Sequence, residues 1–269
     1  MNCNRTFALS LLCILTFASN TAQPKPVIVF DIHGVLLKED IESLVKKQIA
    51  KLQGPHRSIK KNPFFVQLCS LMQIYRPLGQ PTTQYHKEYG IPYEVFALFS
   101  GIKSPTEVYQ ALISMLNNAS LEEPTLLILT ALVNTIFRNA ERVSALTPIP
   151  SGIALFHACL ASTVPVYLYT NAPTEWITQY KQLFPEIFTP ISDEHMLCSG
   201  NTGLVKPSPA VLALIAEKAQ CEIKDLLLID DSEINCNAAT AAGASATLFT
   251  AATPKRSLEM AELHADTEE

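Results

Sequence analysis

The sequence predicts an α/β protein, a doubly wound parallel sheet with an inserted α-helical segment. Three observations predict it. Val27-Ile28-Val29-Phe30 runs apolar into Asp31, with Gly34 three positions on, the pattern of a strand buried on both faces that ends in a carboxylate and a tight turn. From Thr147 onward, strand and helix patterns alternate. Between these two parts, residues 38–147 carry helical periodicity and no sustained strand alternation.

Taken in order, Ile41, Leu44, Val45, Ile49 and Leu52 recur at helical spacing until Gly54-Pro55. Phe64 to Tyr75 reads as a second helix, and the Gly, Pro, Thr and Tyr of residues 79–93 as a loop. Ser104-Pro105-Thr106-Glu107 is a helix start, with a capping hydroxyl, proline at the first helical position and an acid in the first turn. Leu121 to Ala145 is a long apolar helical segment. Ser151 to Ala161 is helical, and Val164 to Tyr169 is a strand ending in Thr170-Asn171. Helices are expected over Thr174 to Leu183 and from Pro207 to Ala219. Leu226 to Ile229 is a strand closing on Asp230-Asp231. A small-residue helix, Asn235 to Ala242, stops at Gly243, and Ala246 to Phe249 reads as a last strand.

The 269 residues and 48% hydrophobic content suffice for a sizeable core plus an insertion. A net charge of −5 offers no basic footprint for nucleic acid. Residues 1–22 have Arg5 as their one charge, then an apolar run of about 12 residues, Phe7 to Ala18, then small polar residues. That is the build of a signal peptide, and the run falls short of the ~20 residues of a membrane span. Cleavage after Ala18 or Ala22 would give an exported protein, periplasmic or secreted, with no stable membrane association; an uncleaved anchor or a disordered tail is the alternative. Five cysteines lie beyond the leader without metal-ligand spacing, so core thiols with at most one or two bridges are expected. The expected division is 1–22 leader, 23–37 and 148–253 core, 38–147 helical cap and 254–269 tail.

Asp31, Thr170-Asn171 and Asp230-Asp231 each close a strand, and parallel strands bring such tips to one edge. Three carboxylates so close require compensation. A divalent cation, Mg2+ for hard oxygen ligands, and a lysine would supply it. Lys206, on the Gly203-Leu204-Val205-Lys206-Pro207 loop before a helix, is placed to reach the edge, unless it is an ordinary surface lysine. The plain alternative for Asp230-Asp231 is a turn and a helix cap.

Together, Asp31-x-x-Gly34-Val35-Leu36, the strand ending at Thr170-Asn171, the Lys206-Pro207 loop and Asp230-Asp231-x-x-x-Asn235 with Ala238-Ala239 and Gly243 resemble the haloacid dehalogenase (HAD) superfamily, over roughly residues 27 to 250. Pro148-Ile149-Pro150-Ser151-Gly152 looks like the lead-in to that family's second motif. The resemblance implies a Rossmann-like core with a helical cap after the first strand. It implies Asp31 as nucleophile, Thr170 and the Asn171 amide as holders of the transferred group, and Lys206 as the neutralising cation. Mg2+ would lie on Asp31, Asp230, Asp231 and the His33 carbonyl, with Asn235 in support. His33 departs from the family pattern, whose phosphatases carry a second Asp there. A histidine can both protonate a leaving oxygen and activate water, or it marks a slow or inactive member. The expected function is Mg2+-dependent hydrolysis of a small phosphorylated molecule through an aspartyl-phosphate on Asp31. The alternatives are halide or phosphonate cleavage, and a non-catalytic binding protein. Substrate contacts are expected from the cap, with His86 between Tyr85 and Tyr89 as one candidate.

Overall fold

The computed structural model describes residues 26–39, 97–137, 145–162 and 164–250. The expected leader, the helices over 41–52 and 64–75, the loop over 79–93 with His86, and the tail lie outside these residues.

Strand β1 (Val27–Phe30) is central in a five-stranded parallel sheet. Its neighbours are β4 (Val166–Thr170) and β6 (Leu226–Asp230), with β5 (Met196–Cys198) beyond β4 and β7 (Ser245–Leu248) beyond β6. The order β5-β4-β1-β6-β7 means that the chain builds outward on one side, then returns to build the other. Ligands of such sheets bind where that reversal opens a crevice at the carboxyl ends of the strands.

Every residue of β1 is buried because both faces are covered. Ile28 and Phe30 join the larger core with α3 (Pro150–Ala161) and α4 (Thr174–Leu183). Val27 and Val29 face the smaller core with α7 (Ala210–Ala219) and α8 (Glu233–Ala241). Between α4 and α7 in sequence lie two short helices, α5 (Pro185–Phe188) and α6 (Ser199–Thr202).

The insertion contributes α1 (Pro105–Asn118) and α2 (Glu123–Phe137) to the described residues. Ser104 starts α1 as expected: its hydroxyl accepts from the Glu107 N–H, and its own N–H donates to the Glu107 carboxylate. Val108, Leu112 and Leu116 recur every four residues and bury one face against Leu129, Leu132 and Val133 of α2. This pair belongs to the same core as β1. Phe99 meets Trp176 of α4 edge-on, with ring centroids 6.2 Å apart.

Several boundaries differ from the sequence expectations. The helix expected from Pro207 begins at Ala210, because Lys206 to Pro209 turn first, with Ser208 N–H bonded to Val205 O. The structure adds an antiparallel ladder of β2 (Leu37–Glu39) and β3 (Leu146–Pro148), for which the sequence shows no strand pattern. It joins the two ends of the insertion. Strand β5 was also missed: three residues are too few to show a period.

Candidate active site

Asp31 follows the last residue of β1, and its N–H is bonded to Ile229 O of β6. The neighbouring tips supply Thr170 from β4 and Asp230 from β6. Lys206 arrives on the loop after α6 and is itself buried, 7% exposed. Its Nζ lies 2.8 Å from Asp31 Oδ2 and 2.6 Å from Asp230 Oδ2. One ammonium therefore ties β1 to β6 through two carboxylates. A buried pair of this kind persists only if its remaining valences are met. Asp31 Oδ1 accepts from the Ile32 N–H at 2.6 Å. Asp230 Oδ1 accepts from the Ser232 N–H and from Asn235 Nδ2, both at 2.9 Å.

The Lys206 loop is held by a side chain expected only to lend its backbone amide. Asn171 Oδ1 accepts from the Lys206 N–H at 2.9 Å, and Asn171 Nδ2 donates to the Lys206 carbonyl at 3.0 Å. The amide side chain thus mimics a strand edge and fixes the lysine's backbone. Asp231 follows Asp230 into the open and sits over Gly34, where any Cβ would overlap its carboxylate. Gly34 also has φ of +78°, a conformation that disfavours every other residue. At Gly152 a Cβ would strike the Val35 carbonyl, so the glycine lets α3 start against the nucleophile loop.

Burial pushes the Asp31 carboxyl up to about 7 against the pull of Lys206, and Asp230 and Asp231 add to the rise. Burial also raises Asp231, with Asp230 as the second cause. For Lys206, burial works against the charge, but attraction by Asp31 and Asp230 prevails and raises its pKa. Cys236, close by, donates its thiol to the Asp230 carbonyl and is pushed up to about 12 by burial, so it is no thiolate nucleophile.

Oxygens of Asp31, Asp230 and Asp231 lie within 4.8 Å of one another. Three carboxylates against the one Lys206 ammonium leave a deficit of two positive charges, and the donors are hard oxygens. The residues fit a divalent cation. Both Asp230 oxygens are already engaged, so Asp231 is the more available second ligand beside Asp31.

On the β4 side the contacts are different in kind. His33, half-buried, has Nδ1 3.2 Å from Thr170 Oγ1 and Nε2 2.9 Å from the Tyr180 hydroxyl. Its ring meets that of Tyr180 edge-on at 5.4 Å. Tyr180 lies on α4 and is fully buried. It was not singled out in the sequence. The available signal was its place on the apolar face with Trp176 and Ile177, because a buried tyrosine must find a partner for its hydroxyl. The structure thus brings Asp31, His33, Thr170, Asn171, Lys206, Asp230 and Asp231 to one edge.

No curated protein matches the chain significantly. Among solved structures, a HAD family enzyme from Bacteroides thetaiotaomicron, crystallised with magnesium and inorganic phosphate, aligns over 84% of this chain and 94% of its own, at 20% identity and a TM-score of 0.51. A predicted HAD-like family hydrolase from Porphyromonas gingivalis aligns over 91% of this chain and 99% of its own, at 13% identity and a TM-score of 0.51. At such identities the likeness establishes the fold. The family model for haloacid dehalogenase-like hydrolases matches residues 25–243, and the chain belongs to that family.

Proposed function

We propose that this hydrolase is a Mg2+-dependent phosphomonoesterase that works through an aspartyl-phosphate on Asp31. The observation that carries the reading is the Lys206 bridge, which pins Asp31 beside Asp230 at the sheet edge where Thr170 closes the neighbouring strand. An anionic nucleophile attacking an anionic phosphoryl group needs this positive charge. The Bacteroides neighbour's magnesium and phosphate are consistent with it.

Asp31, Asp231 and the His33 carbonyl, with Asp230 behind, are the groups that would hold Mg2+, which when bound supplies charge neutralisation and polarises a phosphoryl oxygen. Asp31 attacks phosphorus and the bond to the leaving oxygen breaks. The His33 imidazolium gives its Nδ1 proton to that oxygen. The neutral ring then takes a proton from water, which attacks the aspartyl-phosphate and releases phosphate with Asp31 restored. Thr170 and the Asn171 amide hold the transferred group, and Lys206 neutralises the charge. The inserted helices act as the cap that selects a small phosphorylated substrate, and the apolar leader supports an exported location.

His33 itself motivates a second reading, a protein that keeps the fold and binds a phosphorylated ligand with little turnover. Phosphate release from an aryl phosphomonoester, with and without Mg2+, separates the two. Asp31→Asn should lower the Mg2+-dependent rate by about ten-thousandfold, near 5.4 kcal/mol of barrier. A mutant within about tenfold of wild type removes Asp31 from the nucleophile role.

A further inference from the structure

The contact between Tyr180 and His33 has no part in the steps above, yet it places a buried hydroxyl 2.9 Å from one of the two nitrogens of the ring. The two nitrogens of a histidine do different work, and the hydrogen bond at one decides what the other can do. Nδ1 faces the Thr170 hydroxyl, and so the side of the site where the transferred group would sit. Nε2 faces away from it, toward α4.

We propose that Tyr180 is a positioning residue: its phenol oxygen accepts the His33 Nε2–H, which fixes the ring's orientation and leaves Nδ1 as the nitrogen that exchanges protons with substrate. The direction of this bond rests on the reading of His33 as acid and base. A ring that gives a proton from Nδ1 and later takes one back there must keep its second proton on Nε2 throughout. A phenol donating to Nε2 would force the neutral ring's proton onto Nδ1, and the lone pair needed to activate water would be lost from the substrate side. With Tyr180 accepting, the Thr170 hydroxyl can donate to Nδ1 in the absence of substrate and turn to a phosphoryl oxygen in its presence.

The geometry favours a fixed ring. Tyr180 is fully buried on α4, and its flanking Trp176 and Ile177 are packed in the main core. The edge-on contact of the two rings, at 83° between planes, restrains the imidazole from rotating away. The same logic governs catalytic histidines elsewhere, in which a third group bonded to the far nitrogen orients the near one.

The test has two arms. In the full chain labelled with 15N at histidine, NMR at mildly alkaline pH, without substrate, should show the neutral His33 ring protonated at Nε2. Tyr180→Phe, which keeps the ring and removes only the hydroxyl, should shift the tautomer population toward Nδ1. Protonation at Nδ1 of the neutral ring in wild type overturns the proposal. This arm reads the direction of the bond without turnover, so its outcome is separate from that of the phosphatase reading. In the second arm, Tyr180→Phe should lower kcat for an alkyl phosphomonoester at least about fivefold more than for an aryl one, whose leaving oxygen needs little protonation, with KM within about twofold. Equal losses on both substrates overturn the positioning role. Loss of the phosphatase reading shows separately, as wild-type turnover that is insensitive to Asp31→Asn.

Discussion

Toward β6, Asp31 meets Lys206, with Asp230 2.6 Å from the same ammonium and Asp231 beyond Gly34. Toward β4, the polar partners are the Thr170 hydroxyl, the His33 imidazole and the Tyr180 phenol. The first half is built from formal charges, and for its buried members Asp31, Asp230 and Lys206 each charge must be matched. The second is built from groups that can donate or accept, where direction matters more than charge. The difference teaches that the two halves fail differently. Removing a charge from the first half leaves its partners uncompensated. Removing a hydroxyl from the second alters which proton sits where.

Breaking the ionic half should have the largest effect. Lys206→Met should destabilise the metal-free protein by about 3–5 kcal/mol in urea unfolding, because Asp31 and Asp230 lose their shared cation. A cost below about 1 kcal/mol would mean that the bridge contributes little.

The pH dependence sharpens the contrast. With its carboxyl raised from 3.8 to about 7, folded Asp31 retains a proton that the unfolded chain has released. Its contribution to stability is therefore fully present below the unfolded value and is lost as pH rises toward about 7. The slope for one such group is at most ~1.4 kcal/mol per pH unit. Lys206 stays charged across this window and adds no slope. Thermal melts of metal-free wild type should fall with pH relative to Asp31→Asn, which cannot titrate. Saturating Mg2+ should reverse the trend, since ligands must be deprotonated to bind metal. Parallel curves for wild type and mutant would remove Asp31 as the source.

A smaller effect is expected at the joint between the nucleophile loop and Asp231. Gly34→Ala forces a side chain into positive φ and against the Asp231 carboxylate, at a cost of about 1–3 kcal/mol. The melting shift produced by Mg2+ should shrink with it, because Asp231 must move. An undiminished shift would show that Asp231 is not a ligand. Smallest of all should be the stability cost of Tyr180→Phe, about 0.5–1.5 kcal/mol for one hydrogen bond. If it rivals Lys206→Met, the neutral half is as interdependent as the ionic one.

The parallel sheet, the polar strand tips and the start of α1 were legible in the residues alone. Each is a local pattern: β1 is apolar throughout because both faces are covered, and Ser104 and Glu107 complete their cap within one turn. Asp31, Asp230 and Asp231 could be grouped in advance because parallel strands end on one edge, and like charges there demand a cation. Tertiary structure alone decided the rest. The β2–β3 ladder is three residues long and joins the two ends of the insertion, too short for a period and too distant for a turn signal. Asn171 reaches Lys206 across 35 residues of sequence, and Tyr180 reaches His33 across 147. Neither distance leaves a mark on the chain. A tyrosine on an apolar helix face reads the same whether its hydroxyl meets solvent, a carbonyl or an active-site imidazole, and only the packing of α4 against β1 and β4 settles which.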